Sequence, residues 1–296
     1  MTASLRLLIL CLIAPTACGA QDMPLTQVLL PDSRWELVSS GHRFTEGPAA
    51  DNQGHLFFSD VPANRIHRVD RQGVVTVFAE DTAATNGLMF GPDGRLYGCR
   101  NGDRQIVAYT SDGRHAVIAS DVDSNDIVVN SEGGIYFTDP PHQRVWYLNP
   151  GGTKRVVARD LKPNGLILWP HQGTLVVTDS QDAHLWTFRI AADGGLSYKE
   201  RYYLPLQLPS GAKTPGSDGM TVDTAGRLYV ATRAGIQMFD PTGRLGGTIL
   251  KPQNRFLSNV TFGGLQRDYL YATCSDKVYR RKTRSVGAVY NGGKAP

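Results

Sequence analysis

"SNDIVVNSEGGIYFTDP", residues 124–140, holds two short alternating segments on either side of a Ser-Glu-Gly-Gly turn. Apolar residues at every second position around a glycine-bearing turn are the pattern of a β-hairpin. The second segment, "GGIYFTD" (133–139), has five relatives: "GHLFFSD" (54–60), "GRLYGCR" (94–100), "GTLVVTD" (173–179), "GRLYVAT" (226–232) and "DYLYATC" (268–274). Their first aliphatic residues, Leu56, Leu96, Ile135, Leu175, Leu228 and Leu270, stand 40, 39, 40, 53 and 42 positions apart. Six copies at a period near 40 mark a repeated structural unit.

Each copy is followed by further alternating segments, such as "RIHRVD" (65–70) and "VVTVFAE" (74–80), with no helical period between them. About four short strands therefore fill each repeat. Four antiparallel strands, repeated radially, make a β-propeller blade, so the fold expected over 35–284 is all-β with six blades. The segment "WELVSSG" (35–41) stands to the first blade as the outer strands stand to later ones. It is expected to complete the last blade and so remove two exposed sheet edges. The wide interval before Leu228 marks an insertion at 191–217, expected to be a loop at one face. An N-terminal extension (21–34) and a C-terminal tail (285–296) flank the ring.

The chain opens with "MTASLRLLILCLIAPTACGA", a positive residue, a short apolar run and then small residues. That is the form of a secretory signal peptide over 1–20, and it predicts a periplasmic or secreted protein. The apolar run is too short for a transmembrane span. Acylation at Cys18 is the weaker alternative, because Pro15 stands where a bulky aliphatic residue belongs. Net charge is +4, and the basic residues are interspersed with acidic ones except in "YRRKTR" (279–284). No aromatic residues interleave with that run as base stacking requires, which argues against nucleic acid. Two cysteines, Cys99 and Cys274, lie beyond the leader. They fall at the ends of equivalent strands in non-adjacent blades, too far apart for a disulfide, and are expected to be free and buried.

Counting back 10 or 11 positions from the marker residues gives Glu46, Asn86, Asn125, Asn164, Asp218 and Asn259. Each would begin an innermost strand, and innermost strands surround the central tunnel. One Asn before Gly is an ordinary turn residue. Six oxygen-bearing side chains in register instead predict a ring of ligands at one tunnel mouth. Two carboxylates with neutral amide oxygens suit a hard divalent cation, calcium before zinc, with magnesium or manganese as alternatives.

"EGP" at Glu46, "NGL" at Asn164, "SDGMTVD" around Asp218 and "NVTFGG" from Asn259, in this order and spacing, resemble the SMP-30/gluconolactonase (regucalcin-like) family. The resemblance implies a six-bladed propeller with a divalent metal, usually calcium, in the tunnel, and lactone hydrolysis. It implies Glu46, Asn164 and Asp218 as metal ligands, and Asn125 as a further ligand or a substrate contact. Asn86 belongs with the substrate-facing residues. Related calcium propellers hydrolyse organophosphates. The chain departs from sugar-lactone members at Asp123, where those carry Arg, and at His142, where many relatives have an aromatic residue. The resemblance still implies a gluconolactonase-like activity, and these two positions bear on which lactone is taken.

No G-x-S-x-G elbow is present, which argues against an α/β-type serine hydrolase. The histidines show no zinc-binding spacing. His142 is the one singled out, as a proton shuttle or substrate contact. Two functions follow: a metal-dependent hydrolase of a small lactone or ester, with Asp218 orienting or deprotonating water and Asn125 at the reacting centre, or a non-catalytic metal-stabilised propeller that binds a partner or envelope carbohydrate.

Overall fold

The computed structural model describes residues 24–290; the expected leader and the last six positions of the tail lie outside them. The described residues form six four-stranded antiparallel sheets, as the repeats predict. Their innermost strands are Thr45–Ala50, Thr85–Phe90, Ile127–Val129, Pro163–Leu168, Met220–Val222 and Leu257–Gly263. Strand Glu36–Ser40 pairs with Lys277–Lys282 on the outside of the sixth sheet, closing the ring non-covalently.

Burial follows the alternation. In every blade the second strand is almost wholly buried between neighbouring sheets, which explains why its sequence is the most recognisable. Fourth strands such as His115–Ser120 and Leu196–Glu200 are mostly exposed. Cys99 and Cys274 are free and fully buried. They pack in separate apolar clusters between sheets.

Two connections behave differently from the sequence expectation. The 191–217 stretch is not one surface loop, because Leu196–Glu200 forms the outer strand of the fourth sheet. Beyond it, Tyr203 and Leu206 are buried, and Gln207 exchanges two 2.8 Å hydrogen bonds with the Gln237 side chain of the next blade. The C-terminal segment does not fade after 284 either. Thr224 donates to Val286 O, and Ala288 to Val222 O. The buried Tyr290 hydroxyl donates to Leu168 O at 2.5 Å. This segment closes the end of the tunnel where the innermost strands finish, here called the lower end. Residues 24–34 of the N-terminal extension are also held in place, with Val28 fully buried and Leu29 bridged to Thr283.

Candidate functional site

Register decides what reaches the tunnel. Glu46 pairs with Ser59, and Asn164 and Asn86 take the same place opposite Thr178 and Cys99. Asn125 and Asp218 donate their backbone N–H groups to Thr138 O and Ala231 O, which are equivalent strand positions. These five residues form a ring at the upper end. Glu46 and Asp218 are buried, while Asn86, Asn125 and Asn164 are partly exposed.

Asn259 is not in that ring. In the sixth sheet a bulge between Leu257 and Asn259 sets both Ser258 and Asn259 opposite Thr273, with Val260 paired to Ala272, and Ser258 is the one that takes the place of Glu46. The reason is the turn between Phe262 and Leu270, which is two residues longer than that between Ala50 and Leu56. A fixed offset from the marker aliphatic therefore slips along the strand. Ser258 faces away from the tunnel, bonded to Thr45 O at 2.8 Å and to Thr273.

A second layer lies one residue below the ring: Gly47, Gly87, Asp126, Gly165, Gly219 and Asn259. Four glycines leave space for two side chains from opposite blades. A Cβ on Gly87 would stand 2.4 Å from Asp126 Oδ1, and one on Gly219 would stand 1.8 Å from Asn259 Cγ. Asp126 accepts from the backbone of Ile127 at 2.9 Å, and Asn259 Nδ2 lies 3.5 Å from Glu46 Oε2. Asp126 is thus a third buried carboxylate beside Glu46 and Asp218. Its signal was visible, since Asn125 is followed by Asp where Glu46, Asn86, Asn164 and Asp218 are followed by Gly.

The backbone beneath these side chains is held by bonds between blades. Ser59 Oγ donates to Asn86 O at 2.8 Å, and Thr138 Oγ1 to Asn164 O at 2.7 Å. Gly87 N–H donates to Asn125 O, and Gly219 N–H to Ser258 O, both at 2.9 Å. Position in the tunnel is therefore set by the packing of sheets and not by a flexible loop.

The electrostatics are strained without a positive partner. Burial pushes the Glu46 carboxyl up to about 8 and Asp126 up to about 7. Burial, with the charges of Glu46 and Asp126 next, raises Asp218 well above the ordinary range. Like charges that share a desolvated space cannot all ionise unaided. An oxygen-only donor set of carboxylates and carboxamides is the chemistry a hard divalent cation requires.

Below Asp126 and Asn259 lies a cavity of about 80 Å³, walled by Pro48, Leu88, Ile127, Leu166 and Met220, with Tyr290 also lining it. It is large enough for a few water molecules, and Asp126, Thr221, Asn259 and Arg267 supply polar groups in its lining. The polar, partly exposed amides face the opposite end, so access for a polar ligand is from the upper mouth.

At the upper rim the two departures noted in the sequence meet. His142 Nδ1 lies 2.8 Å from Asp139 Oδ1 and 3.5 Å from Asp123 Oδ2. Asp123 also pairs with Arg104 Nε at 3.2 Å. Asp139 is buried, held by Arg144 Nε at 2.7 Å and Trp146 Nε1 at 3.0 Å. A half-exposed imidazole is thus oriented by a fixed carboxylate on the same face as Asn125.

Residues 44–276 match the family described as SMP-30/Gluconolactonase/LRE-like region. A gluconolactonase of Zymomonas mobilis is 27% identical over 294 residues, covering 85% of this chain and 82% of its own length. A pentonolactonase of Haloferax volcanii is 27% identical over 251 residues, covering 80% of this chain and 83% of its own. Among solved structures, a gluconolactonase of Xanthomonas campestris has a TM-score of 0.77 and 28% identity, over 86% of this chain and 91% of that one.

Proposed function

Because the chain belongs to the SMP-30/gluconolactonase family, we propose that it is a lactonase, with a hard divalent cation, calcium first, bound at the upper mouth of the tunnel. The observation that carries this is the convergence of three buried carboxylates with the amides of Asn125 and Asn164. Glu46, Asn164 and Asp218 are the residues to hold the cation, with Asn125 beside them. When bound, the cation supplies polarisation of the lactone carbonyl.

The remaining chemistry falls to the chain itself. Asp218, buried beside the cation position, orients the attacking water and takes its proton. The Asn125 carboxamide donates to the carbonyl oxygen as charge develops there. Asn86, partly exposed in the same ring, and His142, oriented by Asp139, contact the hydroxyl groups or ring of the substrate. The rim pairs Asp123 with Arg104 and His142, so its guanidinium is already engaged by a carboxylate and is not free to hold an anionic substrate. This favours a neutral lactone over one bearing a carboxylate. The leader supports an exported enzyme, periplasmic or secreted.

Hydrolysis of a panel of γ- and δ-lactones after chelation, then with calcium restored, tests the proposal. Calcium-dependent turnover of at least one lactone is expected, and Asn125→Ala should lower it about a hundredfold with an unchanged unfolding midpoint. A protein that binds calcium yet opens no lactone would be a non-catalytic propeller.

A further inference from the structure

The sheets share a small polar device away from the tunnel. At the end of the second strand a side-chain acceptor meets a donor from the third strand. In the third blade Asp139 accepts from Trp146 Nε1 at 3.0 Å, and in the fourth Asp179 accepts from Trp186 Nε1 at 3.3 Å. In the fifth, Thr232 Oγ1 accepts from Gln237 Nε2 at 3.1 Å. By register the first blade places Asp60 and His67 at these positions. His67 stacks on Phe58 at 5.1 Å and 16°, just as Trp146 stacks on Phe137 at 15°.

The first blade adds a third group. His42 lies in the connection between the ring-closing strand and the first innermost strand. Its ring centroid is 4.8 Å from that of His67, and its Nδ1 is 3.5 Å from Asp60 Oδ2. One ligand atom from each of His42, Asp60 and His67 falls within 4.8 Å of the other two. The side chains of His42 and Asp60 are only 7% and 5% exposed, while His67 is partly exposed and leaves a way in.

We propose that His42, Asp60 and His67 form a second metal site, distinct from the tunnel, that takes a borderline divalent cation such as Zn²⁺. Two imidazoles and one carboxylate are a three-ligand zinc set with one position left for water. Surrounding contacts prepare each ligand. Ser39 Oγ lies 2.6 Å from His42 Nε2, so the tautomer that donates there leaves the Nδ1 lone pair facing Asp60. Outer partners of this kind hold a ligating imidazole in orientation. The backbone N–H groups of Arg43 and Phe44 donate to Asp60 at 3.1 Å, which fixes the carboxylate and spares its remaining lone pairs. Burial holds both imidazoles on the neutral side of their ordinary range, ready to ligate without first losing a proton. An ion here would pin the closing connection to the body of the first blade, and so strengthen the ring at its only non-covalent seam among the described residues.

The test uses the full chain, stripped by a chelator and titrated with Zn²⁺ alone by calorimetry, with Co²⁺ absorption reporting nitrogen ligands. The Glu46→Gln/Asp218→Asn variant, which removes two of the three tunnel carboxylates, should keep one zinc equivalent. His67→Trp restores the indole–carboxylate pair of the third and fourth blades; it should fold, bind no zinc at this site and lose the zinc-dependent rise in melting temperature. Ser39→Ala, which removes only the outer partner, should bind about tenfold more weakly. The proposal is overturned if His67→Trp binds zinc as tightly as wild type, or if zinc binding disappears with those two tunnel carboxylates. Should His67→Trp fail to fold, unchanged zinc affinity in Ser39→Ala overturns it instead.

Discussion

The two ends of the tunnel are built by the same six strands and are chemically opposite. The upper end begins each strand with Glu, Asn or Asp in five blades and brings three carboxylates together. The lower end is walled mainly by Leu, Ile, Met and Phe, with Thr221, Thr261 and Arg267 among them, and is stoppered by Tyr290. Stability and function are thereby separated along one axis. Apolar packing below holds the ring rigid, which lets the upper end keep charges that are unfavourable without a ligand. Four glycines in the second layer connect the two, because they admit Asp126 and Asn259 between the halves.

The comparison breaks most decisively at the upper end. Glu46→Gln and Asp218→Asn should each abolish the calcium-dependent rise in melting temperature, which comes from preferential binding to the folded state. Lactone turnover should fall by about two to three orders of magnitude. Retention of the full calcium shift in either variant would remove the carboxylates from the cation site.

The pH dependence sharpens the same contrast. Glu46 and Asp126 titrate near 8 and 7 in the folded chain, above their ordinary carboxylate values. The folded state therefore holds protons that the unfolded chain has already released. Stability of the cation-free protein must fall as pH rises from about 4 toward 8, and the loss is complete above the folded values. Calcium should reverse it at pH 8 and do little at pH 5, where the carboxyls are protonated. Melting curves across this range, with chelator and with calcium, check it. A cation-free profile that is flat or rises with pH would contradict the burial of these acids.

The layer between the ends is tested by Gly219→Ala. Its new methyl would fall within 1.8 Å of Asn259 Cγ, forcing the carboxamide off its place. Overpacking of this kind costs about 1–3 kcal/mol, measurable by urea unfolding, and calcium affinity should weaken with it. The smallest effect is expected at the lower end. Tyr290→Phe removes one buried hydrogen bond to Leu168 O, worth about 1 kcal/mol, and should leave lactone kinetics unchanged. A large kinetic effect there would mean that the two ends are coupled.

Much of this was legible in the linear chain. The second strand of each blade is buried on both faces, so its composition is constrained and its recurrence exposes the period. Glu46, Asn86, Asn125, Asn164 and Asp218 could be placed together because the first five repeats keep nearly constant turn lengths. Asn259 was assigned to the wrong layer for the complementary reason, a longer turn that changes the offset without leaving a mark in the motif. Asp126 went unread because alternation alone does not say whether a residue beside a bulged strand start points inward.

The repeat, the ring closure and the oxygen-rich heads of the strands thus follow from local pattern, since burial and strand period act on near neighbours in sequence. Three features do not. The Asp126–Asn259 layer depends on glycines from other blades making room. The His142 rim brings Asp123 and Asp139 together from either side of the third blade's first hairpin. The His42–Asp60–His67 cluster forms only where the chain's beginning meets its own end. The first joins side chains of opposite blades, whose separation is set by how sheets pack around the axis; the other two depend on how connections fold back onto paired strands of one blade, which strand period does not reveal.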